Sequence, residues 1–422
     1  MKRHIAIGFF IFAIGAVACS RASQAVATPA PFAGATTTNP STTLPTRAAL
    51  PTLAPVPPEF QSLYTELDTS LTAFDQSFGA SGTQYPVIFA AELLPANGNR
   101  GTALLEPSTL QGVRVNLDHL QSLGVRGVTV AVSYPLLTPD FPRSAEYLAF
   151  FKAVANEVHQ RGMKLDVENG PIFPPPFSSL PVNYAGLTFD KFKASKRQMV
   201  ATIINEIKPD YLDLGAEPDT EAAITHLREI NTPQGYTDLV NSILQGLNRG
   251  STKVGAVSGS WGSPEMVKSL AANTSLDFIA LHIYPVTGRA LQNAVAMADL
   301  AHQFNKRVIL DEAWLYKTSA NEPATSIAAN SEIFRRDAYS FWALLDEKFL
   351  SIVAKLAHTK NIEYVSAFWT TNLFAYLDYD PKLQTIPYNE MMSQMNAAAA
   401  RNMLDGQFSP TGEFYQRLST SP

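Results

Sequence analysis

From residue 84 onward two kinds of hydrophobic pattern alternate along the chain. Short runs of nearly continuous apolar and β-branched residues lie at 85–92, 127–134, 163–169, 210–217, 253–261, 277–284, 307–314 and 363–369. Such runs predict strands buried on both faces. Between them, apolar positions recur at helical spacing over 109–123, 144–161, 189–207, 234–249, 264–272, 289–305 and 331–357, with a last stretch at 388–404. Eight strand–helix units in series imply a closed parallel (β/α)8 TIM barrel. An open doubly wound sheet is the alternative, although no Gly-rich dinucleotide fingerprint follows the first strand. Residues 59–83 are expected to form a helix across the barrel bottom, and the Met-rich stretch 391–403 to pack in the core.

The connections are unequal in the way a barrel explains. Helix-to-strand links such as LGVR, RGM and KP are short, whereas the links after strands three, seven and eight are long. In a barrel the long loops lie over the carboxyl ends of the strands, where function sits.

The first part of the chain reads differently. A basic start (Lys2, Arg3, His4) precedes an apolar run from Ile5 to Val17, too short for a confident membrane span and placed as a secretory signal is. It ends Ala16-Val17-Ala18-Cys19, which resembles a bacterial lipobox with Ala16 where Leu is usual. The expectation is a lipoprotein signal peptide over 1–19, with Cys19 lipidated, holding an extracytoplasmic protein on a membrane that it does not span. The alternative is an ordinary signal peptide and secretion. Residues 20–58 are mostly Ala, Thr, Pro and Ser, with no acidic residue before Glu59. Such a segment buries too little apolar area to fold and is expected to be a disordered linker. Extended, it would reach on the order of 100 Å. The folded domain is then 59–422.

Composition narrows the partners. A formal net charge of −5 and a pI near 5.8 give no basic footprint, so nucleic acid is not expected. Cys19 is the sole cysteine, which excludes an intrachain disulfide and a cysteine metal cluster. The seven histidines are scattered and there is no HExxH, so neither a zinc barrel nor any other metal or cofactor is expected. The stretch Ser258-Gly259-Ser260-Trp261-Gly262 lacks the first glycine of a nucleophile elbow.

The candidate chemistry lies at strand ends. The fourth strand ends Gly215-Ala216-Glu217-Pro218-Asp219 and the seventh ends Asp311-Glu312-Ala313-Trp314. Two glutamates facing each other across a barrel mouth are the pair a retaining glycosidase needs. One carboxyl donates a proton to the leaving oxygen, and the other attacks the anomeric carbon. Proximity of the two keeps one protonated near neutral pH. Strand alternation puts Glu312 on one face with Leu310 and Trp314, Asp311 on the other, His282 with Tyr284, and Glu217 with Gly215 and Asp213.

With these residues the chain resembles a clan A glycoside hydrolase, a barrel superfamily with catalytic glutamates on strands four and seven. The resemblance implies that Glu217 is the general acid/base and Glu312 the nucleophile. It also implies that Tyr284, in the sixth-strand pattern His282-Ile283-Tyr284, hydrogen-bonds the nucleophile, and that Trp369 lies under the reacting sugar. SPTGEFY at 409–415 resembles the tail of such barrels. One position departs: the clan has Asn before the acid/base, and this chain has Ala216. Either another side chain replaces that contact to the sugar 2-hydroxyl, or the substrate lacks a free 2-hydroxyl, or catalysis is weak or absent.

Trp261, Trp314 and Trp369 at strand ends suggest a platform for sugar rings, with core packing as the alternative for each. Phe374, Tyr376 and Tyr379 extend the platform or anchor their loop; Glu168 and Asn169 contact substrate, or Asp166 and Glu168 pair internally. The expected function is a retaining hydrolase of β-linked polysaccharide or oligosaccharide, acting as a monomer, more plausibly endo from its long upper loops. The alternatives are a non-catalytic carbohydrate-binding surface lipoprotein and a structural one.

Overall fold

The computed structural model describes residues 54–78, 85–175, 177–178, 180–284, 288–319, 322 and 327–420. Cys19, the lipobox and most of the 20–58 segment therefore lie outside the described residues. Eight parallel strands close into a barrel in sequence order: β1 (Ile88–Glu92), β2 (Gly127–Ala131), β3 (Lys164–Glu168), β4 (Tyr211–Asp213), β5 (Lys253–Gly259), β6 (Phe278–Ile283), β7 (Arg307–Ala313) and β8 (Ile362–Ala367). Each falls within or beside a run predicted from sequence, and β1 pairs with β8 to complete the ring. The runs look continuously apolar because each strand is covered twice, by the helices outside and by the barrel interior inside.

The two sides form separate cores. Outward residues such as Val128, Leu165, Leu212, Ile279 and Leu310 belong to the large strand–helix core, while Ala90, Tyr211, Val257, Phe278, Ala280, Ile309 and Tyr364 form a small cluster within the barrel. Its floor is three rings, with Tyr211 5.8 Å from Phe278 and 5.5 Å from Tyr364. Glycines make room for them: a Cβ on Gly255 would lie 2.1 Å from the Phe278 ring, and one on Gly127 would lie 2.6 Å from Tyr364.

Two expectations about helices are corrected. Residues 61–78 are helical, but the helix does not cross the barrel bottom. It lies on the outer ring against Gly288–Gln303 and Ala343–Thr359. Leu67, Leu71 and Phe74 are buried there, and Lys348 and Lys355 bond to Asp68 and Asp75. The stretch 331–357 is two helices, Ile327–Arg336 and Ala343–Thr359. It breaks because residues 338–340 turn to pair with the loop after β8, Ser340 N–H donating to Leu377 O and Leu377 N–H to Ala338 O. The Met-rich helix Tyr388–Leu404 does bury Met391, Met392 and Met395. A terminal helix, Pro410–Thr420, sets Tyr415 against β1 and β8.

β7 carries the irregularity that matters for the site. Ala280 pairs with Ile309 but His282 pairs with Glu312, and Leu310 pairs with Val365 but Ala313 with Ala367. Locally, between Leu310 and Ala313, β7 thus holds one residue more than its neighbours, a β-bulge, while β8 holds the extra residue between Ile362 and Val365.

Candidate active site

β4 stops at Asp213, and the chain then turns. Leu214 packs into the outer core, and a Cβ on Gly215 would lie 2.8 Å from Tyr236, so both face outward. Tyr236 also donates to Ala216 O at 2.6 Å, fixing the turn that delivers Glu217 to the mouth. Pro218 opens the short helix Pro218–Thr225 directly after it. On β7 the bulge sends both Asp311 and Glu312 inward. This corrects the expectation from strict alternation that Asp311 faces away.

The two glutamates meet at His282. His282 Nδ1 lies 2.7 Å from Glu217 Oε1 and 3.1 Å from Glu312 Oε2. One oxygen of each carboxyl and the His282 nitrogen all lie within 4.8 Å of one another. Glu312 Oε2 also accepts from the Tyr284 hydroxyl at 2.5 Å, and Glu217 Oε2 accepts from Thr220 Oγ1 at 2.7 Å. The other edge of the imidazole faces Asp311 Oδ2 at 3.3 Å and Glu168 Oε1 at 3.8 Å.

Burial sets the electrostatics. It is the largest influence on Glu217, pushing its carboxyl up to about 8 against the lowering effect of His282. Burial also raises Glu312, opposed by His282 and by the Tyr284 hydrogen bond. For His282 burial alone would lower the pKa, but Glu312 and Asp311 outweigh it and hold the ring well above its ordinary value. His282, whose charged form its acidic neighbours favour, thus stands between two carboxyls that burial raises. Both carboxyls face His282; Glu217 also accepts from Thr220 and Glu312 from Tyr284, and burial raises both.

The tryptophans divide. Trp261 is half-buried, donates to Asp219 Oδ2 at 3.1 Å and stands 6.0 Å from the Tyr284 ring. Trp314 and Trp369 are 0% and 2% exposed, so neither presents a face to the mouth. Their expected platform role is corrected: Trp314 packs against Lys317 and Asp337, and Trp369 against Phe334 and Phe368. Tyr316, not singled out from sequence, instead stacks on Tyr284 at 4.5 Å. Phe374 and Tyr376 anchor the last loop, the latter donating to Asp346 Oδ2. Tyr379 bonds Glu59. Asn169 is fully buried and donates to Val132 O, away from the mouth. Glu92, held by Asn97 at 2.8 Å, joins the acidic wall near Glu312. Its place at the end of β1 was the one signal that could have found it.

No protein-family model matches the sequence, and a search of curated proteins finds no match. Solved structures do match. The GH5_18 protein of Streptomyces cattleya, in complex with GlcNAc, aligns over 81% of this chain and 82% of its own with a TM-score of 0.50 at 16% identity. GH5_18 of Bifidobacterium longum subsp. longum aligns over 79% and 78% with a TM-score of 0.50, also at 16% identity. The likeness is one of fold: this chain, like them, is a (β/α)8 barrel.

Proposed function

We propose that the chain is a retaining glycoside hydrolase cleaving β-linked oligosaccharide or polysaccharide. The spacing of Glu217 and Glu312 carries this reading. Carboxyl oxygens within 4.8 Å suit direct attack on carbon and leave no room for the water that an inverting pair activates. Glu217 protonates the glycosidic oxygen as Glu312 attacks the anomeric carbon, forming a glycosyl ester. Glu217, now a base, takes a proton from water, which attacks the same carbon and frees Glu312. Tyr284 and His282 stabilise the Glu312 anion before attack and after release. The chain works outside the cytoplasm, held on a membrane through Cys19 or secreted.

Glu312→Gln keeps the shape and removes the nucleophile. Turnover should fall by on the order of 10³-fold or more in a reducing-end assay over a panel of β-glucans, β-mannans and Man-β1,4-GlcNAc. Near-normal hydrolysis by this variant would remove the assignment. A second reading is a non-catalytic carbohydrate-binding barrel, favoured by Ala216 and by a mouth in which Glu217 and Glu312 are only 6% and 13% exposed. Glycan binding by the wild type with no product from any substrate would select it.

A further inference from the structure

We propose that Asp166, Asp213 and Asp311 hold one divalent, oxygen-seeking cation inside the barrel, on the far side of His282 from the two glutamates. The three come from β3, β4 and β7, all are 0% exposed, and one oxygen of each lies within 4.8 Å of the others. Asp166 Oδ2 faces Thr129 Oγ1 at 3.3 Å, and Asp311 Oδ2 faces His282 Nε2 at 3.3 Å. The remaining four oxygens, Asp166 Oδ1, Asp311 Oδ1 and both of Asp213, have no hydrogen-bond partner among the described residues. Asp213 is therefore a fully buried side chain whose oxygens meet only other carboxyls, with Asp311 at hydrogen-bond range.

Elsewhere this chain treats a fully buried carboxylate differently. Glu221 has Lys196 Nζ at 2.5 Å, and Asp337 and Asp346 share the buried Lys317. Among the described residues no lysine or arginine reaches the trio: the cationic group acting on Asp166 and Asp213 is His282, which also serves Glu217 and Glu312. Three buried carboxyls facing one imidazole shared with two glutamates are short of positive charge, which a divalent cation would supply. Carboxylate oxygens alone select a hard metal, Ca²⁺, Mg²⁺ or Mn²⁺. A span of up to 4.8 Å fits oxygens on opposite sides of Ca²⁺ at roughly 2.4 Å each. Sequence patterns miss the site because its members sit on three strands far apart in the chain.

An ion enclosed this way is taken up as the barrel closes and exchanges slowly. The full chain, unfolded in guanidinium with EDTA and refolded with Ca²⁺, should retain one ion per chain through dialysis by mass-spectrometric metal analysis. Refolded in EDTA, it should melt at a lower temperature, and refolding with the ion should restore Tm. Retention of Mg²⁺ or Mn²⁺ instead supports the site equally. Asp213→Asn, nearly isosteric, should carry no ion and show the same Tm with or without it. If wild-type chain refolded with each of the three cations holds only traces and melts as it does in EDTA, the trio shares protons and the proposal is wrong. That wild-type comparison decides even where Asp213→Asn does not fold. The inference is independent of the glycosidase reading: metal content can fail while Glu312→Gln still abolishes turnover, and the reverse.

Discussion

At the scale of single residues, the site turns on His282. Its Nδ1 reaches both glutamates, so neither carboxyl titrates independently of the ring. In the proposed mechanism Glu217 carries a proton to the leaving oxygen, and burial pushes its carboxyl up to about 8. Activity should therefore fall as pH rises through about 8, read as the basic limb of kcat/KM. A basic limb near the ordinary glutamate value would contradict the assignment. The same shift bears on folding. The folded chain binds the Glu217 proton more tightly than the unfolded chain does, whose reference value is 4.5. That contribution to stability is fully present below 4.5 and is lost as pH rises through about 8.

At the scale of elements, the strands were legible and their irregularities were not. Continuous apolar runs reveal a strand covered on both faces, so β1 to β8 could be placed from sequence alone. Alternation within a strand assumes a regular ladder, and the β7 bulge breaks it. Alternation therefore puts Asp311 on the wrong face and groups Glu312 with Leu310, which instead packs into the outer core. Helical periodicity likewise cannot see that residues 338–340 pair with Leu377, and so it joined two helices into one. The glutamates themselves were readable because their signal is position at a strand's carboxyl end, which a bulge does not move. Tyr316 lies beyond the last ladder pair, where no periodicity operates. The barrel floor gives a test at this scale. Gly255 is small because Phe278 occupies the space in front of it, so Gly255→Ala must displace that ring. The expected loss is about 1–3 kcal/mol, measured by denaturant unfolding, with strand content unchanged by circular dichroism. An unchanged midpoint would mean that the floor is looser than the ring contacts imply.

At the scale of the whole molecule, the barrel and its attachment are separate matters. No helix among the described residues is long and apolar enough to cross a membrane. The proposed attachment is through Cys19. Cys19→Ala should move the protein from the membrane to the soluble fraction while kcat on a small soluble glycoside stays unchanged. Membrane retention of that variant would require a different anchor.

The helix Gln61–Phe78 fixes a direction. Lys348 pairs with Asp68 and Lys355 with Asp75, at the same sequence offset of 280, so this helix runs parallel to Ala343–Thr359. Ala343–Thr359 descends from the carboxyl ends of the strands, and Phe60 accordingly sits beside Tyr339, Trp342 and Tyr379 on that upper rim. The polypeptide thus enters the barrel at the rim formed by the carboxyl ends of the strands. Whatever grips the leading residues pulls on the rim around Glu217 and Glu312, and a short leash would turn the opening toward its own mooring.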